Sequence, residues 1–155
     1  MAVIRGIPGV KSQEDRLAGF QDALREAPGL QLAALQPANS ERALALTVME
    51  NILTGNPDLT AVFATSDQMV LGAIEAVDAR GLRGKIVVVG FDAGKEAVKA
   101  VLDGRISAMV AQSPFNMGKF AVEAAYRVAR GESVEKRIDT GTGLVTKNNA
   151  ADYLK

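Results

Sequence analysis

Short β-branched runs alternate with amphipathic helical stretches five times along this chain, a rhythm that leaves few folds open. Val3–Ile7, Leu30–Pro37, Thr60–Thr65, Lys85–Phe91 and Ile106–Gln112 read as strands. Between them, apolar residues recur at helical spacing: Leu17, Phe20, Leu24 and Ala27, then Ala45, Met49, Ile52 and Leu53. Val70, Ala73, Ile74 and Val77 mark a third helix, and Ala97, Val98, Val101 and Leu102 a short fourth one ended by Gly104. Ser12 with Asp15 matches a capping box at the start of the first helix. Ser113-Pro114 opens a fifth, whose stripe is Met117, Phe120, Ala121, Ala124 and Val128. Five βα units joined by right-handed crossovers make a doubly wound parallel sheet of about five strands with helices on both faces, a flavodoxin-like α/β lobe. The strand at Lys85–Phe91 is apolar on both faces, as a central parallel strand should be. The tail holds a possible strand in "GLVTK" and no helix long enough for another unit.

Composition narrows the function classes. The 155 residues form a single domain large enough for a real core. Lys+Arg and Asp+Glu number 18 each, so there is no basic surplus to hold nucleic acid or an anionic membrane. Cysteine and histidine are both absent, which removes disulfides, thiolate zinc sites and the commonest general base. No apolar stretch approaches the roughly 20 residues of a membrane helix. No basic-then-apolar leader stands at Met1; any leader would belong to a longer parent chain.

In doubly wound sheets, ligands bind beyond the carboxyl ends of the strands, where strand order reverses. The residues at those ends are Arg16 in the first turns of the first helix, Ser40 in "PANSER", Ser66 and Asp67, then Asp92 and Gln112. A guanidinium, two carboxylates and an amide supply forked donors and acceptors without nucleophile or metal chemistry, which suits a polyhydroxylated neutral molecule. Each also has a plainer reading. Ser66 and Asp67 are favoured helix caps, Asp92 could cap the helix beginning near Gly94, Arg16 could be solvated, and Gln112 could bond backbone at a strand end.

Other chemistries find less support. "GIPGVKS" lacks the glycine spacing and the Gly-Lys-Ser/Thr triplet of a phosphate loop. Gly141–Gly143 lacks the strand-then-helix setting of a dinucleotide loop, and no G-x-S-x-G elbow is present. Asp67 and Asp92, on neighbouring strand ends, leave paired-carboxylate chemistry open; nothing else argues for catalysis. No metal or cofactor is expected.

At "AVFATSDQMVLGAIEAV", "VVVGFDAGKEAVKAVLDGRISAMVAQSP" and "GLVTKNNAADYL" the chain resembles the sugar-binding proteins of bacterial ABC importers, ribose-binding proteins above all. The resemblance runs nearly the whole length. It implies one lobe, the carboxyl-terminal one, of a periplasmic protein with two α/β lobes of the type I binding-protein fold and sugar in the cleft between them. It implies further that residues 114–136 pack on the other lobe, and that the full-length protein docks ABC permease subunits. Carried over by motif, Arg16 in "EDRLAGF", Asp92 in "GFDAG" and Gln112 in "VAQSP" match residues that hydrogen-bond sugar hydroxyls. Ser40 stands where ribose binders place an aromatic, and Ser66 where they usually place asparagine. The ligand implied is thus a monosaccharide or polyol, with ribose itself in doubt.

A lobe without its counterpart leaves its polar rim open to water, where each hydrogen bond replaces a comparable one to solvent. The expected affinity is on the order of millimolar or weaker. The helix from Pro114 must also bury its stripe. We expect it to fold back on its own sheet; the alternative is exchange with a second copy, giving a homodimer. Two other classes stay in view. The effector-binding portion of a LacI-type repressor shares the fold. A small flavodoxin-like enzyme or receiver domain does too, although "GIPG" lacks a receiver's acidic pair.

Overall fold

The computed structural model describes all residues, 1–155. Strands β1 (Ala2–Arg5), β2 (Ala34–Pro37), β3 (Ala61–Ala64), β4 (Val87–Asp92), β5 (Ala108–Gln112) and β6 (Thr142–Val145) form one sheet in the order β2-β1-β3-β4-β5-β6. The first five are parallel and β6 runs antiparallel to β5 at the edge. The α/β class therefore stands, with six strands in place of five. The possible strand in the tail is real and closes the β5 edge.

Helices α1 (Lys11–Arg25), α2 (Arg42–Gly55), α3 (Asp67–Ala79), α4 (Lys95–Leu102) and α5 (Pro114–Ala129) follow their strands, and a 3-10 turn spans Ala150–Leu154. The chain steps from β1 to β2 in one direction and then back across β1 to β3. Right-handed connections running in opposite directions put α1 on one face and α2, α3 and α4 on the other.

The two faces are unequally covered. Under α2–α4, Ile4, Val62, Val88, Met109 and Val145 alternate inward and join Met49, Val70, Ile74 and Val98 in the main core. Burying each large aliphatic side chain contributes about 1.5–3 kcal/mol. Under α1 the core is small: Val3, Leu17 and Phe63 are buried, and Phe20 stacks on Phe63 at 5.4 Å between centroids. Beyond α1 that face is bare. Val87 is 52% exposed although it lies mid-sheet, and Leu144 is exposed beside β5.

Three local expectations need correction. β2 is four residues, because Leu30–Ala33, after the Pro28-Gly29 turn, do not pair along a strand; the Ala33 N–H donates to Met1 O and Gln31 O accepts from the Met1 amino group. Helix α1 begins at Lys11 with Val10 in the cap position, so Ser12 does not cap it. No side chain caps it; Glu14 instead takes the Gly9 N–H in the loop before the helix while paired with Arg5 at the end of β1. That amide and the Arg5 guanidinium hold the Glu14 carboxyl below its usual range. Finally, α5 does not fold back on its own sheet: none of its residues is buried, and Phe115 is 80% exposed. Its partners are the tail residues Val134, Glu135 and Ile138, which lie along Phe120 and Ala124.

Candidate functional site

The switch in strand order falls between β1 and β3, and the polar cluster forms beyond the carboxyl ends of the neighbouring strands. Helix α1 leaves β1 and carries Arg16 back across the sheet end. Arg16 Nη1 donates to Thr65 O at 2.8 Å and to Asp92 Oδ2 at 3.2 Å, while Nη2 donates to Asp92 Oδ1 at 2.9 Å. Gln112 Nε2 donates to the same Oδ1 at 2.5 Å. Residues from α1, β4 and β5 thus meet at one carboxylate.

Each position has a local cause. Phe91 lies on the α1 face of β4, and the Arg16 guanidinium sits 4.0 Å above its ring centre. Gly90, one residue earlier, points into the main core, where a Cβ would strike Met109 and Val70. Asp92 ends the strand at φ 84° and Ala93 follows at 54°, both left-handed conformations that glycine usually takes. Strain of this kind persists where surroundings over-determine it; here the Arg16 fork and the Gln112 amide hold Asp92.

Chemically, the pair is neutral overall and only part satisfied. The fork joins one guanidinium to one carboxylate, with Arg16 12% and Asp92 29% exposed at the side chain. The Arg16 Nε–H, one further Nη2–H, the Gln112 carbonyl and part of Asp92 Oδ2 make no bond within the protein. Free donors and acceptors occur together here, and hydroxyl groups, which both donate and accept, satisfy both kinds. No group of His, Cys, Asp and Glu is arranged to hold a metal ion.

Of the five candidates, the structure brings Arg16, Asp92 and Gln112 together. Asp92 is not a helix cap: Gly94 occupies that position before α4, and the Asp92 carboxylate is engaged by Arg16 and Gln112. Ser66 does occupy the cap position before α3 but its hydroxyl makes no capping bond. Ser66 Oγ is buried without a partner. Ser40, at φ 63° after β2, makes no side-chain bond to the trio. Asp67 leans over Gly94, where a Cβ would come within 2.5 Å of its Oδ2, and makes no pair with Asp92.

Sequence reasoning missed Thr65 and Gln13. Thr65, fully buried, accepts the Gly6 N–H at 2.9 Å and donates to Gln13 Oε1 at 2.5 Å, while its carbonyl receives Arg16. A hydroxyl at the last turn out of an otherwise apolar strand was the available signal.

Comparison with known proteins bears on the family. Residues 1–133 match the family model described as periplasmic binding protein domain. The ribose import binding protein of Bacillus subtilis is 41% identical over 147 residues, covering 95% of this chain and 47% of that protein. A periplasmic solute binding protein of Actinobacillus succinogenes, solved with bound D-allose, superposes with a TM-score of 0.93 at 34% identity, over 98% of this chain and 54% of its own. A solute binding protein of Bacillus halodurans with bound myo-inositol gives 0.89 at 32%, over 99% and 53%. The chain therefore spans about half the length of the relatives it matches. These relatives are import-binding proteins and do not favour a transcription regulator. The chain belongs to the periplasmic binding protein domain family.

Proposed function

We propose that this chain is one lobe of a sugar-binding subunit of an ABC importer, its carboxyl-terminal lobe, and that Arg16, Asp92 and Gln112 grip hydroxyl groups of a neutral monosaccharide or polyol. The observation that carries this reading is the shared Asp92 carboxylate, bonded by Arg16 and Gln112 yet open along one rim. A fixed, charge-balanced fork of donors and acceptors reads hydroxyls without attracting ions. Ser40 and Ser66 are proposed as wall residues of the same site. Both are small, which leaves room for a ring larger than ribose; D-allose and myo-inositol, bound by the relatives above, are the first ligands to try. The full-length parent is periplasmic in this reading, closes two lobes on the sugar and docks the permease. On its own the chain performs no reaction, and in the parent residues 114–136, with α5, pack on the other lobe.

The test is a titration of the labelled chain with D-allose, myo-inositol and D-ribose, following amide NMR shifts at Thr65, Asp92 and Gln112. Saturable shifts with Kd on the order of millimolar or weaker are expected, because an open rim returns little per hydrogen bond. Asp92→Asn, which removes the charge and keeps the shape, should abolish them. Absence of any shift at these residues at tens of millimolar sugar sinks the reading, and micromolar binding would contradict the open half-site.

A further inference from the structure

The stripe that α1 turns toward the sheet runs through Gln13, Arg16, Leu17 and Phe20 at helical spacing. Its later members pack in the ordinary way, with Leu17 buried and Phe20 stacked on Phe63. Its first two are polar, and both bond the same residue. Gln13 Oε1 accepts from the Thr65 hydroxyl at 2.5 Å, and Arg16 Nη1 donates to the Thr65 carbonyl at 2.8 Å. The Thr65 hydroxyl meanwhile accepts the Gly6 N–H at 2.9 Å, so its single hydrogen is committed to Gln13. Thr65 is fully buried, which makes these bonds costly to break. Glu14 also ties the helix to Arg5, but through a partly exposed pair that water weakens.

Gly6 completes the socket. A Cβ there would come within 2.5 Å of Gln13 Cδ and Oε1, so the Gln13 amide occupies the space that any other side chain would claim. Gly6 does not sit in the left-handed region, and what requires glycine here is room for Gln13. Gly6, Thr65 and Gln13 therefore form one fitted joint between the ends of β1 and β3 and the first turns of α1.

We propose that Gln13 is a positioning residue for Arg16: by keying α1 to Thr65 it fixes the direction of the unbonded Nε–H and Nη2–H that Arg16 offers to a ligand. Asp92 and Phe91 hold the guanidinium to β4, by its edge and by its face. The joint at Thr65 ties the helix that carries it to β3, so the group is set from two strands. A donor fixed beforehand loses no rotamer freedom on binding, whereas a loose arginine must be ordered at that moment. The inference rests on the sugar-site reading above and adds to it a residue that acts through Arg16.

NMR of the Arg16 guanidinium nitrogens in the whole chain, without and then with D-allose, tests it. Rotation about the Cζ–Nη bonds reports how firmly the group is held. Gln13→Met keeps length and helix propensity and deletes the acceptor. Gly6→Ala keeps both partners and pushes the Gln13 amide off the hydroxyl. Each should quicken the rotation at least about fivefold and weaken D-allose binding about fivefold, the worth of one hydrogen bond. Thr65→Ser keeps the hydroxyl and both its bonds; it should match wild type in rotation and affinity although it loses a buried methyl and some stability. Arg16 rotation unchanged in Gln13→Met and Gly6→Ala overturns the proposal, as does quickened rotation with an unchanged Kd. Thr65→Ser loosening Arg16 as far as Gln13→Met would trace the effect to general destabilisation and overturn it too. The rotation measurement needs no sugar, so a wild type that holds Arg16 firmly and binds none of the sugars overturns only the function proposed above.

Discussion

Asp92 shows how one side chain comes to have a fixed aim. Its backbone sits in a left-handed conformation beside a second left-handed residue, Ala93, and two donors from distant parts of the chain hold its carboxylate. The support runs one layer deeper through Thr65, whose hydroxyl bridges the Gly6 amide and Gln13 while its carbonyl steadies Arg16. Thr65→Val keeps the shape and deletes the bridge. It strands a buried N–H and an amide oxygen, so a loss of about 1–3 kcal/mol is expected in urea unfolding. An unchanged midpoint would mean that water replaces the hydroxyl and that Thr65 supports nothing.

The most extensive contact between elements is α2 on α3, and the two come closest at Gly72. A Cβ there would collide with the Arg42 carbonyl and approach Leu46 N at 3.0 Å, so the two backbones touch. Across the same crossing Arg42 bonds Glu75 of α3 and Glu96 of α4, and those carboxylates raise its pKa above the ordinary arginine value. Gly72→Ala must push backbone from backbone, and despite alanine's better helix propensity it is expected to cost about 1–3 kcal/mol. A calorimetric Tm at or above wild type would refute the close approach. Gly72 was invisible in the sequence, where it reads as one more small residue in a helix. The strands with unbroken β-branched runs were legible because both periodicity and composition mark them, and so was the stripe of α3. The limits of β2 were not, since paired and unpaired extended residues look alike. The trio at Asp92 was legible as strand ends, but the contact of Arg16 with a residue 76 positions away rests on strand order, which no local pattern carries. For α5 the pattern showed an apolar stripe and could not show what lies opposite it.

Stability in this molecule is therefore uneven, and the unevenness is measurable. Helix α3 buries eight residues between the sheet and its neighbours, while α5 buries none. An isolated helix of sixteen residues is marginal in water, because nucleation is costly and little but the tail packs on it. Amides of α3 should open only with global unfolding, whereas those of α5 should exchange through local fraying. Hydrogen exchange read by mass spectrometry on the dilute chain measures it. Peptides of α5 should exchange at least a hundredfold faster than peptides of α3. Protection of α5 equal to that of α3 would show that the helix finds its own cover within one chain, and the uneven distribution argued from burial would then be wrong.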